Sequence, residues 1–265
     1  MPGIAESAEK LLSLKGKTAV VSGGGSGIGR GTCLRLAEFG ASVAVLDIND
    51  EGGESTVAEI INNGGEAIYI HCDVRSADDC KNAADTAAEK FGGIDILFNN
   101  AGIAIRKNAV DLEPEEWDLA LDVSLKGQYL LSKYVIPYMI KRGGGSIINT
   151  GSGWSLKGGE NAVAYCAMKG GTLNMTRAMC IDHGKHNIRV NTVCPGDIDT
   201  PMLKSECEQL GDTYDENYKK SCAVDRPIAR LGTVEDVANT VLFLASDMSS
   251  WITGAHIVVD GGGIA

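Results

Sequence analysis

The sequence predicts an α/β fold: one domain built on a doubly wound, seven-stranded parallel sheet. Three observations carry that prediction. Short apolar, β-branched runs alternate with longer segments of helical period, as strands joined by crossover helices do. The runs are apolar through their length, as in strands buried on both faces. No composition break, Ser/Pro-rich linker or internal repeat divides the chain.

In order, the strands fall at 18–22 (Thr-Ala-Val-Val-Ser), 42–47 (Ser-Val-Ala-Val-Leu-Asp), 67–72, 94–99, 146–150, 189–194 and 256–260. The intervening helical patterns cover 28–39, 51–63, 77–91, 115–141, 162–183 and 234–244. One segment breaks the rhythm. Residues 202–226, bracketed by Pro201 and Pro227, are polar, weakly periodic and longer than an ordinary connection, which marks a lid-like insertion. The alternatives are a poorly ordered excursion or a pair of short helices packing locally. The expected domain spans 1–265.

At 265 residues the chain can hide roughly three quarters of its unfolded surface. Apolar content of 44% and charged content of 22% are those of a soluble globular protein. The net charge of −11 argues against a nucleic-acid partner, whose phosphates it repels. None of the eight cysteines forms a Cys-x-x-Cys pair, and several lie inside apolar runs. They read as reduced, packed thiols of a cytoplasmic protein, neither a disulfide nor a zinc framework. The four histidines show no metal spacing. The start lacks a signal-peptide pattern, and no stretch approaches the ~18 apolar residues of a membrane span.

The first strand runs directly into Gly23-Gly-Gly-Ser26-Gly27-Ile28-Gly29, which opens a helix. Backbone amides at a helix N-terminus bind anions, and glycine lets a pyrophosphate approach them closely. Glycine spacing alone is weak evidence in a chain with 34 glycines; a strand before, a helix after and an acid ending the next strand strengthen it. That acid is Asp47. A carboxylate there accepts hydrogen bonds from a ribose 2′-hydroxyl and repels a 2′-phosphate, so the loop and Asp47 together predict a Rossmann-type site for NAD. Asp47 could also serve as a helix N-cap.

The chemistry is expected at Ser152, Tyr165 and Lys169. Ser152 follows the strand at 146–150, and Tyr165 and Lys169 stand four apart on one helix face. An ammonium so placed stabilises a phenolate and brings tyrosine, with an ordinary pKa near 10, toward acid/base work at neutrality. Tyr129 and Lys133 repeat the spacing, but the residue 13 before Tyr129 is Glu116, whereas Ser152 holds that position before Tyr165. Tyr129 therefore reads as a core or subunit-contact residue.

These features resemble the short-chain dehydrogenase/reductase family over nearly everything from Leu14 onward. The glycine loop is similar to its Thr-Gly-x-x-x-Gly-x-Gly, with Ser22 in place of threonine. Asp73 and Val74 match the pair that flanks the adenine. Asn99-Asn-Ala101-Gly102 matches the segment that stabilises the sheet and lines the adenosine side. Pro195, Gly196, Ile198 and Thr200 match the segment that holds the carboxamide and pyrophosphate. The resemblance implies that Lys169 also holds the nicotinamide ribose, and that the long helices at 115–141 and 162–183 and the C-terminal strand build a homotetramer. One position departs from the pattern: Ser124 stands where the family usually has a catalytic asparagine, which implies a retained but altered proton relay.

The expected activity is reversible hydride transfer between NAD and a secondary alcohol (a polyol, sugar, or cyclic or steroidal alcohol) and its ketone. Tyr165 acts as base or acid, and Ser152 holds the substrate oxygen. Candidate pocket residues are Trp154, Lys157, Asn161, the turn 103–107, Met202, Leu203, Tyr214 and Tyr218. The alternatives are a 3-oxoacyl thioester reductase, which Asp47 counts against, a non-catalytic dinucleotide sensor, and an epimerase or dehydratase that retains NAD.

Overall fold

Successive strand residues point to opposite faces of a sheet, so an all-apolar run must be covered on both. That is the observed packing. Val20, Ala44, Leu46, Leu97 and Ile147 face one helical layer; their neighbours Ala19, Val21, Val43, Val45, Ile96, Phe98 and Ile148 face another. The computed structural model describes residues 4–265, leaving residues 1–3 of the expected span outside it.

The sheet contains β1 (Thr18–Ser22), β2 (Ser42–Asp47), β3 (Glu66–His71), β4 (Ile96–Asn99), β5 (Gly145–Thr150), β6 (Ile188–Pro195) and β7 (His256–Val259). Its order is β3-β2-β1-β4-β5-β6-β7, with every pair parallel. The helices are α1 (Ile4–Leu12), α2 (Gly27–Glu38), α3 (Asp50–Asn62), α4 (Ala77–Phe91), α5 (Pro114–Leu121), α6 (Gly127–Arg142), α7 (Val163–His183), α8 (Pro201–Gln209), α9 (Glu216–Ala223) and α10 (Val234–Ala245). Helices α4 and α6 cover one face through Ala83, Ala87, Leu131 and Met139. Helices α2, α3 and α10 cover the other through Leu36, Ile60 and Val241. Phe98 at the centre is 0% exposed; burying a side chain of that size contributes about 1.5–3 kcal/mol.

After β3, at one edge, the chain crosses back to lay β4 beside β1. The connections leaving β1 and β4 therefore diverge, and a crevice opens at the carboxyl ends of these strands. This switch point places the site.

Three elements differ from expectation. Helix α1 lies in a stretch that is not among the expected helices. The expected helix over 115–141 is divided: α5 and α6 are separated by a π-helical turn, Asp122–Lys126, which contains Ser124. Such wide turns are frequent at functional sites. The segment 202–226 holds α8 and α9, the pair of short helices given above as an alternative, the latter capped by the Asp215 carboxylate, which accepts from Asn217 N–H and Tyr218 N–H. Among the described residues no helix is long and apolar enough to cross a membrane, and no cluster of His, Cys, Asp or Glu could hold a metal. All eight cysteines are free thiols.

Candidate active site

The crevice is a cavity of about 860 Å³ that extends from Asp47 and Asp73 to Tyr165 and Lys169. Its floor is the turn after β1. Gly23 has φ +65°, a conformation that favours glycine, and a Cβ at Gly29 would fall 1.9 Å from the Gly23 carbonyl oxygen. Gly29 thus shapes the turn from behind, while Gly23, Ser26, Gly27 and Ile28 line the cavity. Ser26 precedes α2 without a side-chain cap bond, so the first-turn amides are left for an anion. Ser22 performs the work of the expected threonine: its hydroxyl accepts from Asn100 N–H at 3.0 Å and Ala101 N–H at 3.1 Å, joining the turns after β1 and β4.

Asp47 closes one end. One carboxylate oxygen accepts from Gly25 N–H at 2.8 Å and the other from Asn49 N–H at 2.9 Å. The N-cap of α3 is Asn49, not Asp47. Asp73 and Val74 line the same end; Arg75 binds Asp73 through two nitrogens and holds its carboxyl below the usual range. Ala101 and Gly102 line the cavity. Asn99 does not: it is wholly buried, and its amide donates to Asn149, Ser132 and the Gln128 carbonyl, fastening β4 to β5 and α6. Pro195, Gly196, Ile198 and Thr200, beyond β6, line the opposite wall.

Ser152, Tyr165 and Lys169 meet in this cavity. Ser152 emerges from β5 and caps a short 3₁₀ turn, its hydroxyl accepting from Trp154 N–H at 3.1 Å. Tyr165 and Lys169 occupy successive turns of α7, with the ammonium 5.7 Å from the tyrosine ring centre. Lys169 is 3% exposed and donates to the Thr150 carbonyl at 2.8 Å. Ser124 lies outside the cavity lining, 0% exposed, and its hydroxyl accepts from Ile103 N–H at 3.1 Å. It therefore fixes the turn after β4. A Cβ built on Gly102 would sit 3.3 Å from Ser124 Oγ and 3.8 Å from Lys169 Nζ, so the glycine keeps the space between them open.

A family model described as enoyl-(acyl carrier protein) reductase matches residues 23–263. The chain is 39% identical to cyclohexanol dehydrogenase of Acinetobacter sp. strain SE19, covering 96% of this chain and 98% of that one. It is 38% identical to a 3-oxoacyl-[acyl-carrier-protein] reductase of Thermotoga maritima, covering 95% and 99%. The solved structure of levodione reductase superposes with a TM-score of 0.88 at 32% identity, covering 94% of this chain and 97% of that one.

The chain belongs to the short-chain dehydrogenase/reductase family. It is an oxidoreductase of that kind and uses a nicotinamide cofactor.

In this dehydrogenase/reductase the protein groups around the tyrosine act on its pKa in both directions. Burial pushes the Tyr165 phenol well above its ordinary range, and the Glu206 carboxylate adds to this; the Ser152 hydroxyl pulls it back. Burial also lowers Lys169 to about 8. The tyrosine is thus held as a phenol, and stabilising its phenolate requires positive charge close by.

Of the candidate pocket residues, Trp154, Lys157, Ile103, Ala104, Met202 and Leu203 line the cavity. Ile105, Arg106, Lys107, Asn161, Tyr214 and Tyr218 do not; Tyr214 instead donates to Asp199 at 2.5 Å. The sequence reading missed Leu119 and Val123, which the π-turn region carries to the wall, and Arg226, Asp260, Gly263 and Ile264. The Arg226 guanidinium joins Asp197 and the Asp260 carbonyl, and Lys157 donates to the Gly263 carbonyl at 3.1 Å. Glycines at 261–263, beyond the last strand, were the available sign that the tail turns back.

Proposed function

We propose that this enzyme catalyses reversible NAD(H)-dependent hydride transfer between a secondary alcohol and its ketone. The observation that carries the reading is the convergence of Ser152, Tyr165 and Lys169 at one end of a cavity whose other end is Asp47. The residues fit a dinucleotide: a glycine turn without side chains, the unclaimed amides of α2, and a carboxylate beyond it. In this reading Asp47 holds the adenosine ribose, and Asp73, Val74, Ala101 and Gly102 flank the adenine side. The α2 amides take the pyrophosphate, Ile198 and Thr200 take the carboxamide, and Tyr165 and Lys169 take the second ribose. The nicotinamide supplies the hydride acceptor or donor and, when oxidised, a positive charge.

The chain's own groups manage the proton. Ser152 donates a hydrogen bond to the substrate oxygen and orients it. In reduction the Tyr165 phenol gives its proton to that oxygen, a role for which its raised pKa already holds it protonated. In oxidation Tyr165 removes the hydroxyl proton, and the Lys169 ammonium steadies the phenolate. Ser124 sets the turn that carries Ile103.

Asp47 favours NAD(H) over NADP(H), since a 2′-phosphate meets like charge there. The cavity's Trp154, Leu119, Val123 and Leu203 suit a cyclic carbon skeleton, in keeping with the alcohols and ketones that the relatives' names describe. A 3-oxoacyl thioester reductase is the second reading, favoured by the Thermotoga relative. Helix α8 acts as a lid, since its Met202, Leu203 and Glu206 line the cavity. A cytoplasmic location accords with eight unpaired thiols. Exposed Ile181, Trp251, Tyr129 and Ile140 suit the packing of subunits into a homotetramer; a monomer by light scattering overturns that assembly.

Activity is tested by NADH formation at 340 nm from NAD⁺ and a panel of cyclic alcohols, polyols and hydroxysteroids, beside Tyr165→Phe. The variant should bind NADH yet lose roughly a thousandfold in kcat, the scale of acid/base catalysis. Near-normal turnover by Tyr165→Phe refutes the mechanism.

A further inference from the structure

Glu206 of α8 lines the cavity, with its side chain 14% exposed. Its Oε2 accepts from the Arg106 guanidinium at 2.9 Å. Arg106 also donates to the Glu160 carbonyl at 3.0 Å and lies 4.8 Å from the centre of the Trp154 ring. One turn further along α8, Gln209 accepts from Arg106 N–H at 2.9 Å and donates to the Ala104 carbonyl at 3.0 Å. The carboxylate is therefore held rigidly against the turn after β4.

Among the described residues none donates to its second oxygen, Oε1. A carboxylate oxygen offers two acceptor positions, so Oε1, in the cavity lining, is free to take a donor from a bound molecule. Trp154 stands edge-on to Tyr165 with ring centres 5.7 Å apart, so the Arg106–Glu206 pair is one aromatic ring away from the acid/base. Because Arg106 already balances the charge, the pair does not draw a cation into the site. What it lacks is a neutral hydrogen-bond donor.

We propose that Glu206 is a specificity-determining residue that accepts a hydrogen bond from a second hydroxyl of the substrate, making the preferred substrate a cyclic diol rather than a mono-alcohol. This rests on the hydride-transfer reading above. Ser152 and Tyr165 hold the reacting oxygen, Glu206 holds the second, and Trp154 and Leu203 contact the carbon ring between them.

The test compares kcat/KM for cis- and trans-1,4-cyclohexanediol with that for cyclohexanol in the wild-type enzyme, Glu206→Ala and Glu206→Gln. Wild type should favour a diol. Glu206→Ala should lower the diol-to-cyclohexanol ratio by about 10- to 100-fold, the cost of one hydrogen bond to a charged group. Glu206→Gln retains a carbonyl acceptor without the charge, so its ratio should fall between the other two. Using a ratio removes any general loss of folded enzyme. The same ratio in all three proteins, or a wild-type preference for cyclohexanol, overturns the role of Glu206 while leaving hydride transfer intact. No turnover of any of these alcohols or of the wider panel refutes the hydride-transfer reading and this proposal together.

Discussion

Replacing Asp47 by alanine probes cofactor choice and local stability through one side chain. Its carboxylate accepts from Gly25 N–H at 2.8 Å and Asn49 N–H at 2.9 Å, tying the glycine turn to the end of β2. Losing a charged acceptor there costs about 2 kcal/mol, or a fall of about 4–8 °C in Tm for a domain of this size. Toward NADH the variant loses a charge-assisted hydrogen bond to the ribose, weakening Kd by about 10- to 100-fold. Toward NADPH it loses a repulsion. Two unit charges 4 Å apart at an effective dielectric near 20 repel by about 4 kcal/mol, close to a thousandfold in affinity. The two effects multiply in the NADH-to-NADPH ratio of kcat/KM, which should fall by roughly 10⁴- to 10⁵-fold. Coenzyme titrations by fluorescence, steady-state kinetics with both coenzymes and a melting curve measure all three quantities. A ratio within about threefold of wild type, a difference below 1 kcal/mol, would refute the assignment of Asp47 to the ribose. A large Tm loss with an unchanged ratio would leave it only as a tie between turns.

Lys169→Met should eliminate turnover and also change the pH dependence of stability. Burial holds Lys169 at about 8, against 10.5 for a free lysine. Below about 8 the ammonium is charged in both the folded and unfolded chain, and burying it costs about 3 kcal/mol. Between about 8 and 10.5 only the unfolded chain keeps the proton, so wild-type stability rises with pH in that window. Denaturant titrations at pH 7 and pH 9.5 should therefore show wild type gaining on Lys169→Met; a constant difference between the two proteins contradicts a buried, charged lysine.

Much of the site was legible because its parts are local. A glycine turn between a strand and a helix, an acid ending the next strand, and a Tyr–Lys pair on one helix face each need only a few consecutive residues. Residues 202–226 and 115–141 were less legible. The polar surface of α8 and α9 hides a weak helical period, so the segment reads as a loop. The π turn at Asp122–Lys126 leaves no mark in an apolar pattern, since inserting one residue into a turn keeps the neighbours helical. Asn99 shows a further limit: the motif was recognised, but its amide turns into the core between β4 and β5.

The α/β class, the strands and their double burial, the glycine cradle, and Ser152, Tyr165 and Lys169 as the proposed reactive set could be read from the order of the amino acids alone. Tertiary structure decided what surrounds that set. Arg106 meets Glu206, and the tail at Gly263 and Ile264 meets the cavity, across 100 or more positions of chain. Such contacts follow from how helices cover a twisted sheet, and no local spacing encodes them. Tertiary structure also decided the state of the tyrosine. Its two neighbours in α7 and β5 could be read from spacing, but its burial and the carboxylate beside it raise its pKa, because desolvation depends on everything packed around a group and not on its sequence neighbours.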